Sequence, residues 1–415
     1  MKRLCVVVVV AALAAVILAA CGSGSGSGSS AGGGIGTAKG DPIVVGTICS
    51  CSGAQAASTA KVKDVAQVWA ESVNARGGIN GHPVKMIVED DAGDPAKALR
   101  AAKKLVEQDH VVAIVGQMSL ADATWADYTS KKGVPVVGGI SATIPYLTEP
   151  TFFASGTTLP ALVAGTLLTG KEAGKTKLGV LYCSESPSCS QLDLFTKAAA
   201  GIVGGIIVTS AKISSTAPNY TAPCLGLKRA GVDSITLSAN NTVVARVMEA
   251  CAQQGLHPTM VSQFATSAPE WLRNPNFEGA LLTSQTAVPV ASAPAGKEFL
   301  DAVAKFAPGL TRDPQFTPAT ILAWAGGKLF EAAAKAGGVG PNSTPTDVMK
   351  GLYTLKNETL GGLAPPLTFT KGKPAVPTCY FTTQIHNGEY ILPDGPAPKC
   401  LTPSQVEAFG KLLAG

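Results

Sequence analysis

Short apolar runs rich in β-branched residues alternate with segments of helical periodicity through the first third of the chain. The apolar runs lie at residues 42–48, 84–89, 111–115 and 134–137, and the last of the helices between them is predicted over about 120–132. Because the connections are short, each helix must return the chain to a neighbouring strand of the same sheet. The alternation predicts an α/β fold in which a parallel sheet is covered by helices on both faces.

The same alternation starts again after a stretch rich in Pro, Gly and Thr near residues 150–160. A helix is predicted from about residue 160, and a long apolar helix over 317–335 needs burial in a core. An Asn-Gly turn predicts a hairpin near the C-terminus. We therefore predict two α/β lobes, each built on a doubly wound parallel sheet. The further strands are predicted at 178–182, 205–209, 234–237, 382–385 and 390–392, and residues 279–294 are predicted to cross between the lobes.

Residues 1–20 have the features of a secretory signal peptide. Lys2 and Arg3 give a positive start, residues 4–20 are an unbroken apolar run, and small residues precede Cys21. The apolar run reaches the short limit for spanning a bilayer, so a retained membrane helix is the alternative. Export is the prediction.

The segment LAACG at residues 18–22 resembles the lipobox of bacterial lipoproteins. This resemblance implies that the peptide is cut before Cys21 and that the cysteine is lipidated. The following residues, up to 40, are nearly all Gly, Ser and Ala, which predicts a flexible tether over 21–40. We therefore expect an exported protein that is anchored to the outer face of the bacterial cell membrane.

Charge and motif content argue against several classes of function. The formal net charge of +5 comes from 33 basic and 28 acidic residues without a basic block, which does not favour a nucleic-acid partner. The chain lacks a Gly-x-Ser-x-Gly elbow, and its four histidines have no evident nucleophile partner. The acidic segment at 89–94 lacks the spacing of a calcium loop. No enzymatic activity, cofactor or metal site is predicted.

Ten cysteines are ordinary in an exported protein and unusual in a reducing cytoplasm. Apart from Cys5 and Cys21, all are candidates for disulfides, and sequence alone does not choose among the possible pairings. Local spacing favours a staple after one strand, a link between two helices and a link in the terminal hairpin. The two cysteines that remain, Cys49 and Cys51, form a Cys-x-Cys motif, for which metal binding is the alternative to a disulfide. The favoured pairs are Cys183 with Cys189, Cys224 with Cys251, and Cys379 with Cys400, which leaves Cys49 with Cys51.

Several motifs occur in the order and spacing of one protein family. They are IVVG at 43–46, NARGGING at 74–81, EDDAGDP at 89–95, VG at 115–116 and GVPV at 133–136. Together they resemble the type I periplasmic solute-binding proteins, in the leucine/isoleucine/valine-binding branch. The resemblance covers about residues 42–400, and it implies two α/β lobes that hold a ligand in the cleft between them.

The resemblance also implies three crossings between the lobes, near residues 158, 286 and 371. On that template lobe 1 comprises residues 41–158 and 287–370. Lobe 2 comprises residues 159–286 and 371–415.

The loops after the predicted strands are the candidate ligand-binding segments, because ligands of open α/β sheets bind beyond the carboxyl ends of the strands. Most of these loops carry Ser, Thr, Asn or Gln, which favours hydrogen bonding to a small polar solute. After the third strand Gln117 is a candidate ligand contact, and the resemblance points to Ser119. After the fourth strand it points to the backbone carbonyl of Ser141 and to the hydroxyl and N–H of Thr143. Ordinary helix capping is the alternative for these residues.

The second lobe departs from the family pattern. Relatives place an aromatic or polar residue where Asn240 falls, which makes Asn240 a candidate ligand contact. They also place a carboxylate that pairs with the ligand's ammonium close to Gln263 and Phe264. No acid lies there, and Glu270 would fit only if the loop ran differently. Because a buried ammonium without a counter-charge is costly, either the ligand is not a standard α-amino acid or another group takes this role. Phe264 is expected either to contact the ligand or to lie in the core.

These observations predict a solute-binding lipoprotein that captures a small polar ligand between its lobes. The resemblance implies delivery to the permease subunits of an ABC importer. The expected ligand is a branched-chain amino acid or a related amino acid, amide or aromatic acid, and the expected state is a monomer. The alternatives are a module that presents its closed state to a signalling receptor and, from another class, a hydrolase.

Overall fold

The structure is a computed structural model that describes residues 38–184 and 187–414. The predicted signal peptide, Cys21 and most of the tether lie outside the described residues. Within them, no helix combines the length and the apolar character needed to cross a membrane.

The first sheet is parallel, and its strand order shows the predicted doubly wound arrangement. The order is β2-β1-β3-β4-β5. The inner strands are almost entirely buried because helices cover both faces of the sheet. The strands are β1 (Ile43–Cys49), β2 (Val84–Asp90), β3 (Ile114–Gln117), β4 (Val136–Gly139) and β5 (Phe152–Phe153).

The second sheet has eight strands: β6 (Lys177–Cys183), β7 (Ile207–Ile213), β8 (Ser234–Ser238), β9 (Thr259–Gln263), β10 (Leu281–Ser284), β11 (Cys379–His386), β12 (Glu389–Ile391) and β13 (Lys399–Cys400). Strands β7-β6-β8-β9-β10 are parallel and repeat the winding order of the first sheet. The predicted hairpin, β11 with β12, adds to β10 in the antiparallel direction, and β13 pairs with β11. The prediction of two doubly wound α/β lobes is confirmed, with an antiparallel hairpin at one edge.

The helices are α1 (Ala56–Thr59), α2 (Val62–Ala75), α3 (Pro95–Glu107), α4 (Ala126–Lys132), α5 (Pro145–Thr148), α6 (Leu159–Glu172), α7 (Pro187–Val203), α8 (Thr221–Arg229), α9 (Asn241–Gln253), α10 (Pro294–Phe306), α11 (Thr320–Ala336), α12 (Pro345–Thr354) and α13 (Pro403–Ala414). Helices α10–α12 pack with α2 on the first sheet, and α13 packs against α7 on the second. Lobe 1 is therefore the first sheet with α1–α5 and α10–α12, and lobe 2 is the second sheet with α6–α9 and α13. The chain passes between the sheets in the intervals 154–158, 285–293 and 355–378. The exact lobe boundaries given above stay a prediction.

Several predicted segments differ from the observed ones. The strand predicted at 111–115 is β3, which begins only at Ile114, and the crossing predicted at 279–294 begins only after β10, because Leu281–Ser284 pairs with β9 and β11. The strand predicted at 205–209 begins only at Ile207, because Gly204 and Gly205 both have φ of 70° and cannot be extended. The helix predicted over 120–132 is only α4, preceded by a short 3₁₀ turn over Asp122–Thr124. Within this stretch the side chains of Asp122 and Trp125 are hydrogen-bonded into buried polar networks, which hold it as a loop.

Helix α11 crosses the first sheet at unusually close range. A Cβ atom on Gly326 of α11 would lie 2.5 Å from the Cα of Gly116 in β3. A Cβ on Gly138 of β4 would in turn lie 2.3 Å from the Cα of Gly326. Only glycine fits at this crossing, which seats the apolar helix directly on the centre of the sheet.

Disulfides join neighbouring elements of both lobes. Cys224–Cys251 links α8 to α9, Cys379–Cys400 links β11 to β13, and Cys49–Cys51 closes the loop after β1. Cys183 is also disulfide-bonded, and the side chain of its predicted partner, Cys189, lies outside the described residues.

Candidate functional site

A buried network around Asp91 joins the loops at the carboxyl edge of lobe 1. The Ser119 hydroxyl donates to Asp91. It also accepts from the N–H of Ala121 and from Nε1 of Trp125, each at 3.3 Å. Ser50 donates to the other Asp91 carboxylate oxygen at 2.7 Å. The fully buried Ser119 hydroxyl has therefore used its donor and both acceptor positions, so it holds the loop and has none left for a ligand.

A second network centres on Asp122, a residue that the sequence did not single out. The Thr143 hydroxyl donates to Asp122, and Gln117 Nε2 lies 3.4 Å from the same carboxylate oxygen. Gln117 Nε2 is also 3.3 Å from the Tyr146 hydroxyl, and Gln117 Oε1 accepts from the Ser119 N–H at 2.8 Å. Fully buried Gln117 thus ties the two predicted binding loops together.

The electrostatics of this network favour a ligand group that donates hydrogen bonds. Asp122 is only 3% exposed, and burial raises the pKa of its carboxyl to about 7. Thr143 is half-buried, and donating to Asp122 leaves the lone pairs of its hydroxyl oxygen able to accept. An ammonium, amide N–H or hydroxyl of a ligand matches Thr143 better than a carboxylate does. The acid three residues after Ser119 was the available sequence signal for this carboxyl.

The remaining residues of these loops add one buried polar group and two exposed apolar ones. Ser141 is fully buried, and its hydroxyl donates to the Gly139 carbonyl at 3.3 Å. Leu120 and Ile144, next in sequence to Ser119 and Thr143, are 44% and 53% exposed. The edge of lobe 1 therefore offers apolar surface beside the Thr143 hydroxyl.

Lobe 2 contacts lobe 1 through Asn241, the residue after the candidate ligand contact Asn240. The predicted Asn240 is the N-cap of α9, where its side-chain oxygen accepts from the Val243 N–H at 3.0 Å. Its neighbour Asn241 is 3% exposed and donates from Nδ2 to the carbonyl of Ala57 in α1 at 3.2 Å. This hydrogen bond joins the loop after β1 of lobe 1 to the first turn of α9 in lobe 2.

The structure places Phe264 in the core of lobe 2. Its ring is 1% exposed and makes an edge contact with Tyr390 at 5.0 Å between centroids. The expected ligand contact of Phe264 is therefore not supported, and the alternative expectation, a core position, describes it. Glu270 is exposed on a short 3₁₀ helix and takes no part in either network.

Metal-binding groups are not assembled in the described part of the chain. Among its residues, no three His, Cys, Asp or Glu side chains are arranged to hold a metal ion. Cys49 and Cys51, the residues of the Cys-x-Cys motif, are bonded to each other and supply no free thiolate.

The family model described as "Periplasmic binding protein" matches residues 42–389. Among curated proteins, an amino acid binding protein of Pseudomonas aeruginosa is 39% identical over 74 residues, which are 18% of this chain and 20% of that protein. The Leu/Ile/Val-binding protein BraC3 of Rhizobium johnstonii is 35% identical over 108 residues, 26% of this chain and 29% of that protein. The chain thus matches less than a third of the length of these relatives.

Solved structures of similar fold cover almost the whole described chain. The leucine-binding protein LivK of Thermotoga maritima has a TM-score of 0.69 at 17% identity, covering 84% of this chain and 97% of that one. A fatty acid ABC transporter substrate-binding protein of Thermomonospora curvata has a TM-score of 0.72 at 18% identity, covering 89% and 95%. At these identities the likeness shows the fold. Together with the family match over 42–389, it shows that the chain belongs to the periplasmic binding proteins of type I, a family of solute-binding proteins and not of enzymes.

Proposed function

We propose that this protein captures a small solute between its two lobes and delivers it to an ABC importer. The observation that carries the proposal is the hydrogen bond from Asn241 to the Ala57 carbonyl, at 3.2 Å. It joins the carboxyl edges of the two sheets, where open α/β folds bind ligands. A contact that forms only when the lobes meet would hold the ligand in place by stabilising the closed arrangement.

Within this cleft, Thr143 is the proposed acceptor for a ligand N–H. Its hydroxyl proton points to Asp122, so a ligand ammonium or amide would meet an oxygen lone pair backed by a buried carboxyl. Asp122 would then provide, from lobe 1, the negative charge for which lobe 2 offers no residue near Gln263. The role of Ser141 as a ligand contact through its backbone carbonyl stays part of this proposal, and Asn240 contributes by capping α9 beside the cleft.

The proposed ligand is an amino acid or amide with an apolar side chain. Named relatives bind leucine, isoleucine and valine, and a structural neighbour belongs to a fatty acid transporter. The exposed Leu120 and Ile144 beside Thr143 suit the apolar part of such a ligand. Membership of the family implies export. We further propose that Cys21 is lipidated and that the tether over 21–40 lets the anchored lobes reach the permease.

Thermal-shift screening of the mature protein tests the proposal. The panel contains leucine, isoleucine, valine, phenylalanine and their amides, and a true ligand raises the melting temperature by mass action. Calorimetry of the best compound is then repeated with Thr143→Val, which we expect to weaken binding about tenfold through the lost acceptor.

Thr148→Val is the matched control, because it is the same substitution at an exposed position on the neighbouring helix α5. We expect it to bind as the unmodified protein does. If no compound shifted the melting temperature, or if Thr143→Val and Thr148→Val bound equally well, the proposed site would be wrong.

A further inference from the structure

Lobe 2 contains a cavity between its sheet and the helices α6 and α7. The cavity has a volume of about 130 Å³. It runs along the strands from Leu178 to the carboxyl ends of β8 and β9, at Ala239 and Gln263. Its lining combines apolar residues (Val163, Leu167, Leu178, Val180, Leu237, Ala239) with polar ones (Thr166, Thr196, Thr236, Ser262, Gln263, Thr266).

Polar side chains are unexpected on this face of the sheet, since a face covered by helices is ordinarily apolar. The opposite face shows the usual pattern, with a core of Leu181, Ile235 and Val247. Thr236 is in register with Val180, so its side chain points to the same side as that of Val180, toward α6 and α7. Within the described part of the chain, neither the Thr236 hydroxyl nor the Gln263 carboxamide makes a hydrogen bond. Both are thus available to a molecule inside the cavity.

The lining also limits what the cavity can hold. It contains no charged side chain, and a charge buried there would lack a partner. Hydroxyl and carboxamide groups both donate and accept, so they suit a neutral polar atom. An apolar cavity of about 150 Å³ is enough for benzene, so about 130 Å³ admits a group of about ring size.

One end of the cavity lies at the carboxyl edge of the second sheet, which is also the edge that faces the proposed cleft. Gln263 and Thr266 lie where β9 ends, and Ala239 lies where β8 ends, immediately before the α9 turn that contacts lobe 1. A ligand held at the cleft can therefore place one end along the strands of lobe 2, past Gln263 toward Thr236.

We propose that this cavity binds the neutral, ring-sized end of a ligand, one that bears a hydroxyl or carbonyl group for Thr236 and Gln263. The inference rests on the proposed function, because it assigns this end to a solute captured in the cleft. It narrows the proposed amino acid or amide to one whose side chain ends in a neutral, ring-sized group with a hydroxyl or carbonyl, such as a phenol ring, while its charged groups stay at the edge of the lobes.

Methyl NMR with small probes tests the cavity directly. Phenol and benzamide are titrated into the mature protein, with benzoate and benzylamine as charged probes of similar size. We expect the neutral probes to shift the methyl signals of Val163, Leu167 and Val180 in a saturable way, and the charged probes to leave them unchanged. Thr236→Val should weaken binding of the neutral probes about five- to tenfold.

Thr209→Val is the matched control, since Thr209 pairs with Gly179 in β6 and faces the other side of the same sheet. It should bind the probes as the unmodified protein does. Val180→Phe, which fills the cavity, should abolish the methyl shifts. If that variant does not fold, Thr236→Val alone decides the outcome.

Equal binding of neutral and charged probes would show that the cavity does not select neutral groups, and equal affinity of Thr236→Val and Thr209→Val would show that Thr236 does not contact the probe. Either result would overturn the inference. The outcomes for the proposed function can be distinguished from the outcomes for the cavity. If amino-acid or amide binding is weakened by Thr143→Val and unaffected by Thr236→Val, solute capture stands and the cavity assignment is wrong. If the neutral probes bind in the cavity while no panel compound binds in the cleft, the cavity stands as a neutral-ring site and the proposed function is wrong.

Discussion

Asp122 is the residue on which the chemistry of the site depends most. It is buried between Gln117 and Thr143, and the nearby Asp91 adds to the effect of burial. Burial opposes the charged form of the carboxyl, so its pKa rises from 3.8 to about 7. The carboxyl therefore changes its charge at a pH close to neutral, unlike an exposed aspartate.

The raised pKa of Asp122 predicts a loss of stability with rising pH. Between pH 4 and 7 the unfolded chain has released this proton while the folded protein still holds it. The free energy of unfolding therefore falls as the pH rises through this window, by an amount on the order of a few kcal/mol. Asp122→Asn should remove this part of the pH dependence, as measured by urea unfolding at several pH values.

Asp127→Asn serves as the control for this experiment, because Asp127 is an exposed acid on α4, 73% accessible. It should keep the pH dependence of the unmodified protein. If Asp122→Asn and the unmodified protein had identical pH profiles of stability, the raised pKa of the Asp122 carboxyl would be contradicted.

The sequence predicted the loops of the site better than the roles of their residues. Ser119, Thr143 and Gln117 all lie in the interconnected networks at the carboxyl edge of lobe 1. Which hydroxyl remains available depends on where the partners Asp91 and Asp122 point, and that follows from long-range packing between loops. No spacing rule within a single loop contains this information.

Among the helices and strands, the close crossing of α11 over the first sheet predicts that Gly326→Ala destabilises the protein. Gly326→Ala would place a Cβ atom 2.5 Å from the backbone of Gly116, so the helix or the strand must shift. We expect a loss of about 1 to 3 kcal/mol in the free energy of unfolding, although alanine favours helices. Chemical denaturation measures the change.

Gly410→Ala provides the contrasting control in α13, where a Cβ atom would meet nothing within 4 Å. The same substitution there should raise stability by about 0.5 to 1 kcal/mol through helix propensity alone. Effects of the same sign at Gly326 and Gly410 would contradict the close packing of α11.

Most elements follow from periodicity, and the exceptions have identifiable physical causes. The long helix α11 and the hairpin β11 with β12 were predictable from apolar spacing and from the Asn-Gly turn. The strand β5 was not, because Phe152–Phe153 is too short to show alternation. Helices α10, α12 and α13 were missed as well, although a proline at the first position marks the start of each. Their assignment to one lobe or the other depends on packing between segments distant in sequence.

At the scale of the whole molecule, function requires that the two lobes close on the solute. Asn241 makes the described hydrogen bond between α9 and α1, and it is almost fully buried. Asn241→Ala removes this bond and should weaken solute binding about five- to tenfold. Calorimetry with the best panel compound measures the loss.

Asn342→Ala is the control, because Asn342 is exposed and lies between α11 and α12; this variant should bind the compound as the unmodified protein does. Equal affinities of the two variants would contradict the role of Asn241 in closure.

Small-angle X-ray scattering during a solute titration measures whether the two lobes close when they capture the solute. The mature protein is measured at increasing concentrations of the compound with the largest thermal shift, alongside Asn241→Ala. We expect the radius of gyration to decrease in proportion to bound solute, and we expect the variant to need more solute for the same decrease. Saturating binding with an unchanged radius of gyration would contradict capture by lobe closure.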